Sequence, residues 1–98
     1  MTIGLMVMTM IIEGATGLKD KRMVLNSIRD RVRNRFNVSL IESGHQNHRQ
    51  QAEISIALLA SSRRLAEQQL DQIERFIIEY FPGRHVCAQR DYFDSLEK

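Results

Sequence analysis

Five side chains able to bind phosphate recur near the start of this chain at helical spacing: Lys19, Arg22, Asn26, Arg29 and Arg33. Steps of three and four residues put them on one side of an α-helix. Arginine suits the task because its planar guanidinium can grip a phosphate with two parallel hydrogen bonds. The stretch 19–37 holds seven basic residues against Asp20 and Asp30, a local excess of five positive charges. The whole chain carries only +2, so everything outside the stretch is net negative. Basic residues near the amino end of a helix oppose its dipole, so helix stability does not account for them. The pattern predicts salt-sensitive contact with successive phosphates of a polyanion. Two plainer readings stand beside it. One is a solvated helix face; the other has Arg33 and Arg35 tying the helix end to Glu42 or Glu53.

Other chemistry has less to build on. His45 and His48 sit in a polar stretch with Arg49, but two histidines are too few for a closed zinc site, and they read as loop residues. No serine, histidine and carboxylate set and no glycine-rich phosphate loop stands out, so no catalytic residue, metal ligand or cofactor is predicted. Arg33 and Asn34 could serve a phosphatase only by analogy with fold. Met6, Met8 and Met10 read as adaptable packing, and Cys87 has no neighbour that would activate it. Bases could also stack on aromatics of a sheet. Residues 1–13 and 50–61 contain no Phe, Tyr or Trp, which argues against that mode.

The elements that must position these residues follow from periodicity. Thr2 to Glu13 is β-rich and apolar on both faces, a strand. Gly14 to Gly17 is a turn, with Thr16 or Gly17 as helix cap. Lys19 to Asn37 is one amphipathic helix whose core stripe is Leu18, Leu25, Ile28, Val32 and Phe36, with Arg31 and Arg35 on its far flank and fraying expected from Asn34. Val38 to Glu42 is a short strand, residues 44–50 a loop, and Ala52 to Ala60 an alternating strand. Ser61 or Ser62 caps a second helix, Arg63 to Tyr80, that buries Leu65, Ala66, Leu70, Ile73, Phe76, Ile77 and Tyr80 and shows Glu67, Asp71, Glu74 and Glu79 to solvent. Pro82-Gly83 stops it, and Arg84 to Asp91 is a last strand with Val86 and Ala88 facing in.

The order β-α-β-β-α-β predicts an α+β ferredoxin-like sandwich, an antiparallel sheet with both helices on one face. Residues 1–92 form one domain and 93–98 a polar tail. The first strand then turns Ile3, Leu5, Val7, Thr9 and Ile11 away from the helices. An apolar face of that size predicts a homo-oligomer, most simply a dimer, in which these residues are covered.

Ninety-eight residues with 43% hydrophobic and 27% charged side chains suit one globular domain. The single cysteine fits a reducing compartment. The apolar start is too short to span a bilayer and lacks a basic leader, so the expected setting is cytoplasmic, without membrane association.

The strand around Gly4, the run Leu18-Lys19-Asp20-Lys21-Arg22 and the run Arg33-Asn34-Arg35-Phe36-Asn37-Val38-Ser39 resemble the YlxP-like family of small bacterial proteins. Glu42-Ser43-Gly44, Gln50 and Ala52 continue the likeness, over residues 1–92. Members usually have serine where this chain has Gly17 and often tryptophan where it has Arg49. The resemblance implies a ferredoxin-like fold. Members are often encoded beside genes for translation initiation and ribosome maturation, which implies RNA or the ribosome as partner. The expectation is therefore a non-catalytic RNA-binding module working through the first helix. The alternative is a protein-interaction module using the apolar sheet face, and third an enzyme acting on a small phosphorylated substrate.

Overall fold

In the computed structural model the described residues are 1–12, 14, 15, 17–81 and 84–94, with the backbone alone described for 84–87. The chain runs β1 (Thr2–Ile11), α1 (Leu18–Arg35), β2 (Ser39–Gly44), β3 (Gln51–Ala60), α2 (Arg63–Tyr80) and β4 (Arg84–Asp94). The four strands form one antiparallel sheet in the order β2-β3-β1-β4, the ferredoxin-like arrangement. Alternation decides which face meets the helices. Met6, Met8 and Met10 of β1, with Ile12 just beyond it, interleave with Ala52, Ile54, Ile56 and Leu58 of β3 to form a buried floor. Ala66, Leu70, Ile73 and Ile77 of α2 and Leu25, Ile28 and Val32 of α1 close over it. Burying each of the methionine, isoleucine, leucine and valine side chains contributes roughly 1.5–3 kcal/mol.

Gly4 allows the closest approach of α2. A Cβ there would lie 3.2 Å from Leu70 Cδ1 and 3.5 Å from the Ala66 methyl. Gly17 is the N-cap of α1 and offers no side-chain bond, whereas Ser62 Oγ accepts from the Leu65 N–H at 3.2 Å to cap α2. Helix α1 ends at Arg35, where the Phe36 N–H still reaches the Val32 carbonyl at 2.7 Å.

Several expected settings change. Position 21, on the core stripe of α1, holds a lysine that is fully buried, while Leu18 and Phe36 at the ends of the expected stripe are half-buried. On α2, Leu65 and Tyr80 are exposed rather than buried. Leu65 lies beside the stripe that meets the sheet, and Tyr80 leans on the ring of Phe76, 5.0 Å away, instead. Strand β4 runs on to Asp94, past Asp91, because β1 offers a ladder to its first residue: Thr2 pairs with Asp94, and its Oγ1 donates to the Asp94 carboxylate at 3.0 Å. The expected cap by Thr16, the stop at Pro82-Gly83 and the side-chain settings of Val86 and Cys87 lie outside the described residues. Among the described residues, no helix is long and apolar enough to cross a membrane.

Ile3, Leu5, Val7, Thr9 and Ile11 do lie on the face away from the helices. In register across that face, Ile3 stands between Leu59 of β3 and Phe93 of β4. These three are 44, 63 and 51% exposed, and Ile41 on β2 is 60% exposed. The face is apolar along its centre and open.

Candidate nucleic-acid interface

Helix α1 is anchored from its first turns by Lys21. Its ammonium reaches down among the residues joining β2 to β3 and donates to the carbonyls of His45, of His48 at 2.8 Å and of Gln51 at 2.9 Å, with Gln46 O at 3.5 Å. Glu42 Oε2 lies 3.0 Å from the same nitrogen. His45 adopts a left-handed backbone conformation, φ 57°, which helps turn its carbonyl into this ring. His48 completes the loop from the other side, its Nδ1 accepting from the N–H groups of Gln50 and Gln51 at 3.2 and 2.9 Å. The histidines thus belong to the fold of the loop, and Nδ1 of His48 is committed to it.

Fixing α1 in this way sets its basic flank against β2, an edge strand of the sheet. Between them runs a groove of about 280 Å³, lined by Arg22, Asn26, Arg29 and Arg33 on the helix and by Leu40, Ile41 and Glu42 on the strand, with Leu25 and Ile54 at its base. Four of the five side chains singled out from spacing converge here. Lys19 does not line the groove and stays exposed in the first turn. Arg33 Nη2 donates to the Leu40 carbonyl at 3.2 Å, and Gln46 Nε2 to that of Glu42 at 3.4 Å. Side chains therefore occupy two carbonyls of β2, which hinders another strand from adding there. Arg29 pairs with Asp30 at 3.3 Å in solvent, a contact of little worth.

The electrostatics of the groove follow from these pairings. Glu42 is the acid that lines it, and Lys21 balances Glu42 from below. Three guanidinium groups remain facing the groove. Lys21, counted among the basic residues of the helix, is withdrawn from the exposed charge. The expectation that Arg33 and Arg35 bind Glu42 or Glu53 is corrected. Arg33 takes a backbone carbonyl, Arg35 lies over the rings of Phe76 and Phe36 at 5.1 and 5.9 Å, and Glu53 accepts from Ser43 Oγ at 2.8 Å. Among the described residues no histidine lines the groove beside Arg33, and its three guanidinium groups with the Asn26 amide supply the donors that suit it to binding an anion.

Lys21 is the residue that spacing alone passed over. Its signal was present: it stands at the same helical step as Leu25, Ile28 and Val32, where a charge needs a buried partner.

The family model "Protein of unknown function (DUF503)" matches residues 3–90, which include every residue of the groove and of the lysine cage. The chain belongs to the DUF503 family. It is also similar to the "Uncharacterized protein YlxP" of Bacillus subtilis (strain 168), with 42% identity over 83 residues covering 85% of this chain and 90% of that protein. Membership agrees with the YlxP-like resemblance of the Leu18–Arg22 and Arg33–Ser39 runs. For a DUF503 protein these runs now have structural content: the first supplies the buried lysine and one wall residue of the groove, the second supplies Arg33 at its far end.

Proposed function

We propose that this protein is a non-catalytic RNA-binding module, acting in the cytoplasm, that holds a phosphate backbone in the groove between α1 and β2. The observation that carries the reading is the convergence of Arg22, Asn26, Arg29 and Arg33 on one groove, where the acid is already paired. Arg29 and Arg33, about one helical turn apart, match adjacent phosphates, and Arg22, about two turns before Arg29, meets one further along; such contacts carry no sequence preference. The gene neighbours implied by the YlxP-like resemblance favour ribosomal RNA as the partner. Co-sedimentation with ribosomal subunits across a salt series tests it, beside a variant with Arg22, Arg29 and Arg33 changed to Gln. Binding should weaken steeply with salt and vanish in the folded variant. Absence of binding by the unaltered protein at low salt would sink the proposal.

A second reading is favoured by the exposed row Leu59, Ile3 and Phe93 on the open sheet face. It makes that face the contact between two copies of the chain, with Ile3, Leu5, Val7, Thr9 and Ile11 at its centre. The two readings are compatible, because the groove lies between α1 and the β2 edge while the exposed row is centred on β1, and Ile3, Leu59 and Phe93 do not line the groove.

A further inference from the structure

We propose that the hollow between the C-terminal halves of α1 and α2 holds one unpaired nucleobase, guanine before the others, of an RNA whose backbone lies in the α1/β2 groove; the proposal thus rests on the RNA reading above. The hollow measures about 270 Å³ and is lined by Arg35, Gln72, Arg75, Phe76, Glu79 and Tyr80. That is less than the roughly 300–1,000 Å³ of pockets for drug-sized ligands, a size for a single ring system.

Its walls have the parts of a base-stacking site. Phe76 sits at the centre of an aromatic cluster, 5.9 Å from Phe36, 5.0 Å from Tyr80 and 6.2 Å from Phe81. Tyr80 rests against Phe76 and is 53% exposed, although its neighbours on the stripe, Ile73 and Ile77, are buried. An aromatic ring held at the surface by another ring is a platform for a base. Arginines surround it: Arg35 over Phe76 at 5.1 Å and Arg31 over Phe81 at 5.9 Å, with Arg75 lining the hollow itself. They can neutralise the phosphate that accompanies the base.

Glu79 sets the preference. A carboxylate accepts two parallel hydrogen bonds, and guanine presents two donors side by side, N1–H and the N2 amino group. Adenine offers one amino donor beside an acceptor nitrogen, and uracil one N–H between two carbonyls. Gln72 can donate to the guanine O6. Position links the hollow to the groove. Arg33 and Arg35, two residues apart, fall on opposite flanks of α1, so only the helix, about 10–12 Å across, separates the two. One strand crossing the exposed back of α1 reaches both.

The chain has two tyrosines and no tryptophan, so in a Tyr92→Phe background tyrosine fluorescence reports Tyr80 alone. The probes are guanosine and uridine monophosphate, and labelled uridine oligomers of about eight nucleotides, with and without one guanine. Guanosine monophosphate should quench Tyr80 at concentrations where uridine monophosphate does not. The oligomer with guanine should bind about tenfold tighter. Tyr80→Ala and Glu79→Gln should each erase that factor with the salt dependence intact, and Tyr80→Phe should keep it in the anisotropy of the labelled oligomer. Lack of guanine preference in the unaltered protein, or its survival in a folded Tyr80→Ala variant, overturns the pocket; salt-dependent binding of both oligomers would then leave the groove standing. Quenching by guanosine monophosphate without any oligomer binding supports the pocket and removes the groove.

Discussion

Lys21 Nζ and Glu42 Oε2 lie 3.0 Å apart, yet that carboxylate oxygen is buried without a hydrogen bond. The reason is a count of protons. An ammonium has three, and the three nearest carbonyls, those of His45, His48 and Gln51, take them. Glu42 balances the charge without sharing a proton, and its side chain remains 25% exposed in the groove.

Replacing Lys21 should therefore cost far more than replacing Glu42. Lys21→Met leaves a ring of carbonyls without donors and a carboxylate without its counter-charge, and urea unfolding should register a loss of about 3–5 kcal/mol. Amide exchange in residues 45–51 should rise with it. A loss below about 1 kcal/mol, the range of a surface pair, would mean that the cage does not hold the loop.

Glu42→Gln has the opposite consequence for the groove. It removes the acid from the β2 wall while Lys21 keeps its carbonyls, so affinity for RNA at fixed salt should increase. A filter-binding titration in which Glu42→Gln binds more weakly would count against the groove as the phosphate site.

Arg29 and Arg33 should separate stability from binding. Arg33→Gln loses a bond to the Leu40 carbonyl and should destabilise by about 0.5–1.5 kcal/mol. Arg29→Gln loses only an exposed pair and should leave stability nearly unchanged. Each should lower the slope of log affinity against log salt by about one. Unchanged slopes in both variants would place the phosphates elsewhere.

Arg90 ties β4 to α2, with Nη1 2.7 Å from Asp71 and Nη2 2.9 Å from Glu74. Burial alone would lower its pKa, but hydrogen bonds to Asp71, Glu74 and Tyr92 outweigh this and hold it above its ordinary value. A folded-state pKa raised in this way stabilises the protein below the unfolded value and is lost only as pH rises past it. For arginine that window lies beyond any working pH. The stability difference between the unaltered protein and Arg90→Met should thus be about 1–2 kcal/mol after allowing for partial exposure, and flat from about pH 7 to 9. A marked decline across that range would show that another group titrates with it.

The open sheet face should make the protein a dimer at micromolar concentration, and Ile3→Glu should dissociate it with the fold intact, because Ile3 is already 44% exposed in a single chain. Sedimentation velocity reads both states. A monomer in the unaltered protein would leave Leu59, Ile3 and Phe93 without this role.

The sequence by itself determined the order of elements, the sandwich, the span of α2 and the faces of β1, because these depend on periods of 3.6 and 2 within single segments. It also placed Arg22, Asn26, Arg29 and Arg33 on one helix flank for the same reason. Only the tertiary structure decided what that flank faces. The bonds from Lys21 cross 24 to 30 residues to reach the loop, and the Arg90 pairs cross 16 and 19. No local period encodes such distances. The same holds for Phe36 and Phe76, which read as separate core positions until two helices bring their rings together. A charged residue on a core stripe was legible as an anomaly at position 21. Its solution, a cage of carbonyls built by a loop elsewhere in the chain, exists only once the β2–β3 hairpin folds back beneath α1.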